Sequence, residues 1–296
     1  MKKYIIIIVL LFLFLGVSGC KHKEDNYVYY NDLSYGTHKR QKLDLYIPND
    51  MKGNEDGGLV LYIHGGAWVA GDKDGYRDEM KKNAQDGGYS YAAINYRYID
   101  DDTNAFDILN DIFYALEKIK EVALENGVKL TKVLLTGGSA GGHLALLYAY
   151  SFFQVDPFYS PILPTCVVSY SGPTNITSTD YYTMPALSGQ AYDLFSKLSG
   201  YKYNEETYND AFPYLLKVSP TFYAMIGYGV PTVICHGEQD TVVPVSDAIY
   251  LDHVLNELNV SHDLVLFPHS DHGLESDPDK WEYANKLFKE YMKKYL

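Results

Sequence analysis

The 296-residue chain is 47% hydrophobic and 21% charged, enough apolar material for one large domain or two small ones and unlike a disordered chain. Its net charge of −13 argues against nucleic-acid binding, which needs clustered Lys and Arg, and against electrostatic docking on anionic lipid. Three cysteines, Cys20, Cys166 and Cys235, cannot build a disulfide framework.

Lys2 and Lys3 precede an unbroken apolar run over residues 4–15, and Gly16-Val17-Ser18-Gly19 lead to Cys20. A basic start, a short apolar stretch and small residues at its end make a secretory signal. The run is too short for a transmembrane span, which takes about 20 apolar residues. Val17-Ser18-Gly19-Cys20 resembles a bacterial lipobox. That resemblance implies cleavage before Cys20, lipid on Cys20, and an exported protein anchored to a bacterial membrane. Residues 1–19 are therefore expected to be a leader, 20–34 a tether and 35–296 the folded domain.

Residues 42–48 alternate and end at Pro48, as a half-buried strand does. Continuous apolar runs follow at 59–63, 91–96, 133–136, 166–170, 231–235 and 264–267. Such runs mark a parallel sheet covered on both faces. Between them Ala105, Ile108, Leu109, Ile112, Leu116 and Ile119 recur at helical spacing, with Gly127 as the stop. Ala248, Leu251, Val254, Leu255 and Leu258 form a second stripe. Asp277-Pro278 opens a last helix whose stripe includes Trp281, Ala284, Leu287, Phe288, Tyr291 and Met292. Strands alternating with helices predict an α/β fold with a mostly parallel central sheet and helices on both faces. Residues 174–217 break this rhythm. Rich in Tyr, Ser, Thr and Asn, they read as a small helical cap over the carboxyl edge, with most of the tyrosines packing the cap itself.

Gly137-Gly138-Ser139-Ala140-Gly141 matches G-x-S-x-G between a strand and a helix, the context in which the serine stands at a strained tip with its hydroxyl exposed. A Gly-rich packing turn is the other reading of the pentapeptide alone; the absence of a following Gly-Lys-Ser/Thr excludes a P-loop. His64-Gly65-Gly66-Ala67-Trp68 also leaves a strand, and its exposed N–H groups can face a developing oxyanion together with that of Ala140. Asp240 follows the strand ending at Cys235, with Glu238 as its rival acid; His272 follows the last strand, with His269 as its rival. A metal site at His269, Asp271 and His272 lacks a complementary ligand set at zinc spacing. Asp72-Lys73-Asp74-Gly75 only faintly resembles a calcium loop, since its glycine falls early and no Glu closes it. Cys166 and Cys235 read as packing thiols in neighbouring strands.

Glycines for the oxyanion, then Ser, Asp and His, each after a strand, follow the chain order of α/β-hydrolases. From about residue 35 onward the chain resembles that superfamily. Within it, the resemblance is to esterases with an HGG motif, near hormone-sensitive lipase, and most to bifunctional feruloyl and acetyl-xylan esterases. It is carried by residues 64–68, Asn95-Tyr96-Arg97, residues 137–143, Ser219-Pro220, the Asp240 loop and His272-Gly273. Ala67 departs from hormone-sensitive lipase relatives, which usually carry a third glycine there. The resemblance implies Ser139 as nucleophile, Asp240 as acid, His272 as base, and Gly66, Ala67 and Ala140 as oxyanion donors. It implies hydrolysis of an ester, on a small ester or an esterified carbohydrate, with no metal or organic cofactor. An arylformamidase or peptidase of the same fold, and a non-catalytic binding protein, are the alternatives.

Overall fold

The computed structural model describes residues 21–24, 26–151, 159–187 and 189–296. The expected leader, 1–19, and the expected lipidation site, Cys20, lie outside the described residues. Nine strands among the described residues make one sheet: β1 (Lys21–Glu24), β2 (Tyr27–Ser34), β3 (Lys42–Pro48), β4 (Gly57–Ile63), β5 (Ser90–Asn95), β6 (Leu130–Gly138), β7 (Leu163–Tyr170), β8 (Thr232–Gly237) and β9 (His262–Phe267). Their spatial order is β1-β2-β3-β5-β4-β6-β7-β8-β9. Strands β4 to β9 pair in parallel, while β3 runs antiparallel to β2 and β5, and β1 antiparallel to β2.

Eight α-helices among the described residues accompany them: α1 (Arg77–Asp86), α2 (Ala105–Glu125), α3 (Ala140–Ser151), α4 (Ala191–Ser199), α5 (Tyr208–Lys217), α6 (Pro220–Met225), α7 (Val245–Glu257) and α8 (Pro278–Tyr295). Ile108 of α2, Leu144 of α3 and Leu251 of α7 join one apolar layer; Met80 and Ala84 of α1, with Leu287 and Phe288 of α8, join the other. With both layers in place, β4, β5 and β8 are buried along their whole length. That burial is why they read as unbroken apolar runs. α2 starts on a capping box, Asn104 with Asp107, and Gly127 lies just beyond its end with φ 77°. α8 starts at Pro278 as expected, but the Asp277 carboxylate turns back to accept from His269 N (2.9 Å) and Ser270 Oγ (2.6 Å).

Two expectations are corrected. Residues 21–24 and 27–34 of the expected tether lie in the sheet: Lys21–Glu24 is β1, and Tyr27–Ser34 is β2, with Tyr27 and Leu33 buried. Its buried residues, Tyr27, Tyr30 and Leu33, recur at every third position, and Asp32 has φ 53° at a register shift, so the strand lacks the two-residue alternation that marks a half-buried strand. Strand β3 is not half-buried either. It lies between β2 and β5, and Asp44 is 0% exposed. The buried carboxylate is tolerated because Lys73 Nζ (2.9 Å) and Arg77 Nη2 (3.1 Å) pair with it. Lys73 also meets Asp32 (2.7 Å) and Asp74 (2.9 Å), so the cation amid this acidic cluster is the chain's own ammonium. Burial opposes its charge, but the three carboxylates prevail and raise its pKa.

The insertion at 174–217 carries α4, α5 and two single-turn helices, Thr179–Tyr182 and Pro185–Leu187. Its tyrosines mostly pack on one another: Tyr182 on Tyr192 (4.4 Å between ring centroids) and Tyr201 on Tyr214 (4.1 Å). Tyr181 and Tyr203 are buried. Cys166 and Cys235 are free, buried thiols in β7 and β8, and burial pushes the Cys166 thiol up to about 12. Among the described residues no helix is long and apolar enough to cross a membrane.

Candidate active site

The carboxyl ends of β4, β6, β8 and β9 share one edge of the sheet, where ligand sites of α/β folds form. β6 ends at Gly138 and α3 begins at Ala140, leaving Ser139 alone at the turn with φ 54°. A non-glycine residue held there costs about 1–3 kcal/mol, so its surroundings must enforce it. Ser139 N donates to Tyr170 O (2.7 Å), and His143 N donates to Ser139 O (3.0 Å). A Cβ at Gly137 or Gly141 would run into the Ile63 carbonyl oxygen. The glycines of the pentapeptide thus let the turn press against the end of β4.

From the end of β4, Gly66, Ala67 and Trp68 take φ of 108°, 48° and 60° in succession. This loop touches the serine turn, since a Cβ on Gly65 would sit 2.8 Å from Gly138 O. Among the described residues, the N–H groups of Gly66, Ala67 and Ala140 have no acceptor. Two histidines hold the arrangement. Trp68 Nε1 donates to His143 Nδ1 (3.1 Å), which assigns the proton to His143 Nε2, whose bond goes to Val218 O (2.8 Å). The His64 ring stacks on Tyr96 (4.2 Å) and its Nε2 accepts from Arg40 Nη2 (3.1 Å). Arg40 also donates to Tyr96 O and Gly71 O, binding the loop to its neighbours. Burial pushes the pKa of both His64 and His143 down to about 4, so both are neutral at pH 7.

On the other side of the edge, His272 Nδ1 lies 2.8 Å from Asp240 Oδ2. Asp240 Oδ1 accepts from the N–H groups of Val242 (2.8 Å) and Val243 (2.9 Å). His236, wholly buried, places its Nε2 3.2 Å from the same Oδ2 that meets His272. Burial opposes ionisation of Asp240, but the bonds from His236, His272 and Val243 outweigh it and hold the carboxyl far below the usual range. The rivals fall elsewhere. Glu238 is exposed. His269 is 75% exposed and bonded to Asp277 (2.8 Å) at the start of α8. Asp271 accepts from Thr241 N (2.8 Å) and His272 N (2.7 Å), tying the two loops together.

Ser139, Gly65 and His272 line one cavity of about 510 Å³, and no described residue of 174–217 does. The structure therefore brings Ser139 and His272 to a common space and bonds His272 to Asp240. Sequence reasoning missed His236 and Arg40 and gave no role to His143. For His236 a signal existed, its place one turn before Asp240 in His-Gly-Glu-Gln-Asp; for Arg40 there was none. Among the described residues no group of His, Cys, Asp and Glu could hold a metal ion.

An eight-stranded array β2-β3-β5-β4-β6-β7-β8-β9, with only its second strand reversed and a serine turn after the fifth, defines an α/β-hydrolase fold. The chain belongs to the BD-FAE family, whose sequence model matches residues 43–255. It is 28% identical over 232 residues to "Probable carboxylic ester hydrolase LipM" of Mycobacterium tuberculosis, covering 75% of this chain and 51% of that one. "Esterase LipQ" of the same organism is 25% identical over 72% of this chain and 49% of its own length. The chain thus spans about half the length of these curated relatives. Among solved structures, esterase B from Lactobacillus rhamnosis superposes with TM-score 0.69 at 23% identity, covering 90% of this chain and 85% of that one. A truncated carbohydrate esterase from gut microbiota superposes with TM-score 0.69 at 17% identity, covering 93% and 100%. These superpositions speak to the fold.

Proposed function

We propose that the protein is a serine carboxylic-ester hydrolase acting through Ser139, His272 and Asp240, on short-chain or aromatic acyl esters of carbohydrate. The observation that carries the reading is the 2.8 Å bond from His272 to a buried Asp240 that also accepts from the N–H groups of Val242 and Val243, beside a cavity that also holds the strained Ser139. His272 takes the Ser139 proton as the hydroxyl attacks the ester carbonyl. Asp240 fixes the imidazole tautomer and stabilises the imidazolium. The unpaired N–H groups of Gly66, Ala67 and Ala140 receive the oxyanion, where each such donor is worth about 3–4 kcal/mol. The alcohol leaves with the proton from His272, and water then cleaves the acyl-enzyme by the same steps. The carbohydrate part rests on the BD-FAE membership and on the likeness of the sequence to feruloyl and acetyl-xylan esterases.

A fluorophosphonate probe should label the wild type and not Ser139→Ala. The variant should lose about 10⁴-fold or more in kcat on p-nitrophenyl acetate. Near-full turnover by folded Ser139→Ala would reject the reading. Acetylated xylan and methyl ferulate beside p-nitrophenyl esters of rising length locate the substrate. The lipobox adds attachment to a membrane through Cys20. Intact mass of the mature N-terminus should show lipid on that residue, and an unmodified Cys20 would remove the anchor.

A further inference from the structure

His272 stands on a loop, past the end of β9 at Phe267 and before α8. That loop is tied repeatedly to the loop that carries Asp240. Asp271 accepts from Thr241 N (2.8 Å) as well as from His272 N (2.7 Å), and Gln239 N donates to Ser270 O (3.1 Å). Towards the nucleophile it is tied once. Among the described residues, a single hydrogen bond joins residues 268–277 to the ends of β6 and β7: Ser171 Oγ donates to His272 O (3.0 Å).

Ser171 is the residue that follows β7, and β7 lies between β6 and β8. The peptide group joining Tyr170 to Ser171 faces both neighbours. Its carbonyl accepts from Ser139 N (2.7 Å), and its N–H donates to Cys235 O (2.8 Å). Peptide planarity fixes these two bonds relative to each other. The Ser171 hydroxyl adds a third, to the base. One rigid unit and one short side chain therefore meet the amide of the nucleophile, the strand that leads to Asp240, and the carbonyl of His272.

The conformation of Ser171 is costly. The residue is 2% exposed and has φ 48°. Glycine takes that φ without strain, and a glycine stands next to it at 172. Packing enforces the turn: Gly172 lies against the start of α3, where a Cβ would come within 2.9 Å of His143 N. A serine in a glycine conformation forfeits the easier backbone and gains one hydroxyl, and that hydroxyl is spent on His272.

We propose that Ser171 is a positioning residue for the reaction: by holding the His272 carbonyl, its hydroxyl sets the place of the base relative to Ser139. The proposal rests on the ester-hydrolase reading of Ser139 and His272. Without this bond the base loop keeps its ties to the acid and loses its tie to the nucleophile side. Proton transfer from Ser139 Oγ then suffers, while binding of the ester does not.

Ser171→Ala removes the hydroxyl and keeps the Cβ; Ser171→Gly removes both and relieves the backbone, so it supplies a folded variant if Ser171→Ala melts early. On p-nitrophenyl acetate each should lose about tenfold in kcat, with KM within about twofold of wild type. Both substitutions are then placed in His272→Ala, where no base remains to be positioned. There they should leave the residual rate within about twofold of that variant. A loss that persists undiminished in the His272→Ala background would assign Ser171 to the Ser139 turn and overturn the proposal. Wild-type kcat in Ser171→Gly would overturn it too, since the hydroxyl would then be dispensable. Failure of the esterase reading looks different: the wild type would leave p-nitrophenyl acetate uncleaved, or His272→Ala would match it, and the positioning role would fall with the base.

Discussion

The two halves of the site are built from different materials. After β4 and β6 the chain relies on backbone. Four residues, Gly66, Ala67, Trp68 and Ser139, have positive φ, and buried neutral His64 and His143 pin them. After β8 and β9 it relies on a side-chain pair: one ionised Asp240 accepts from Val242 N and Val243 N and meets His272 across 32 residues of sequence, with His236 Nε2 3.2 Å away. Backbone donors require fixed conformation and no charge, so neutral rings suit them. A base that must become an imidazolium requires a nearby anion. The surroundings of Asp240 keep it charged despite its burial.

The difference is sharpest in the response to mutation. In the side-chain half, His272→Ala and Asp240→Asn should each cost about 10³–10⁴-fold in kcat, by analogy with triads in general. Their sequence rivals should not matter: Glu238→Gln and His269→Ala are expected within about threefold of wild type, because one faces solvent and the other binds Asp277. Steady-state kinetics on p-nitrophenyl acetate, with melts as folding controls, decide it. A larger loss from either rival would move that role to the rival and break the contrast between the halves.

The same contrast explains what the sequence could show. Backbone strain needs glycines nearby, so the Ser139 turn and the His64 loop were legible as motifs, and buried parallel strands were legible as apolar runs. Contacts that join distant segments were not. Lys73 meets Asp32, Asp44 and Asp74, and nothing local in β2 or β3 announces that cluster. Helix α1 shows little periodicity because it buries only Met80 and Ala84. The local residues alone left Asp240 and Glu238 as rivals and only the resemblance pointed to Asp240; in the fold Asp240 is buried while Glu238 faces solvent.

The smallest expected effect tests the backbone half through stability. His64 and His143 have pKa values of about 4 when folded, against about 6.5 unfolded. Between those values the unfolded chain binds protons that the folded chain refuses. Stability from these two groups is therefore fully present above pH 6.5 and is lost as pH falls through the window towards 4. Each should add up to about 1.4 kcal/mol per pH unit to the slope. His143→Gln is the informative variant, since an amide can accept from Trp68 Nε1 and donate to Val218 O without titrating. Urea unfolding at several pH values from 4 to 7 should give a slope shallower than wild type by nearly one proton. Carboxylates such as Asp240 titrate in both proteins and cancel in the difference. An unchanged slope would mean that His143 can be protonated in the folded state. Its bonds to Trp68 and Val218 would then be weaker than the geometry implies, and the backbone half would rest on Arg40, His64 and Tyr96 alone.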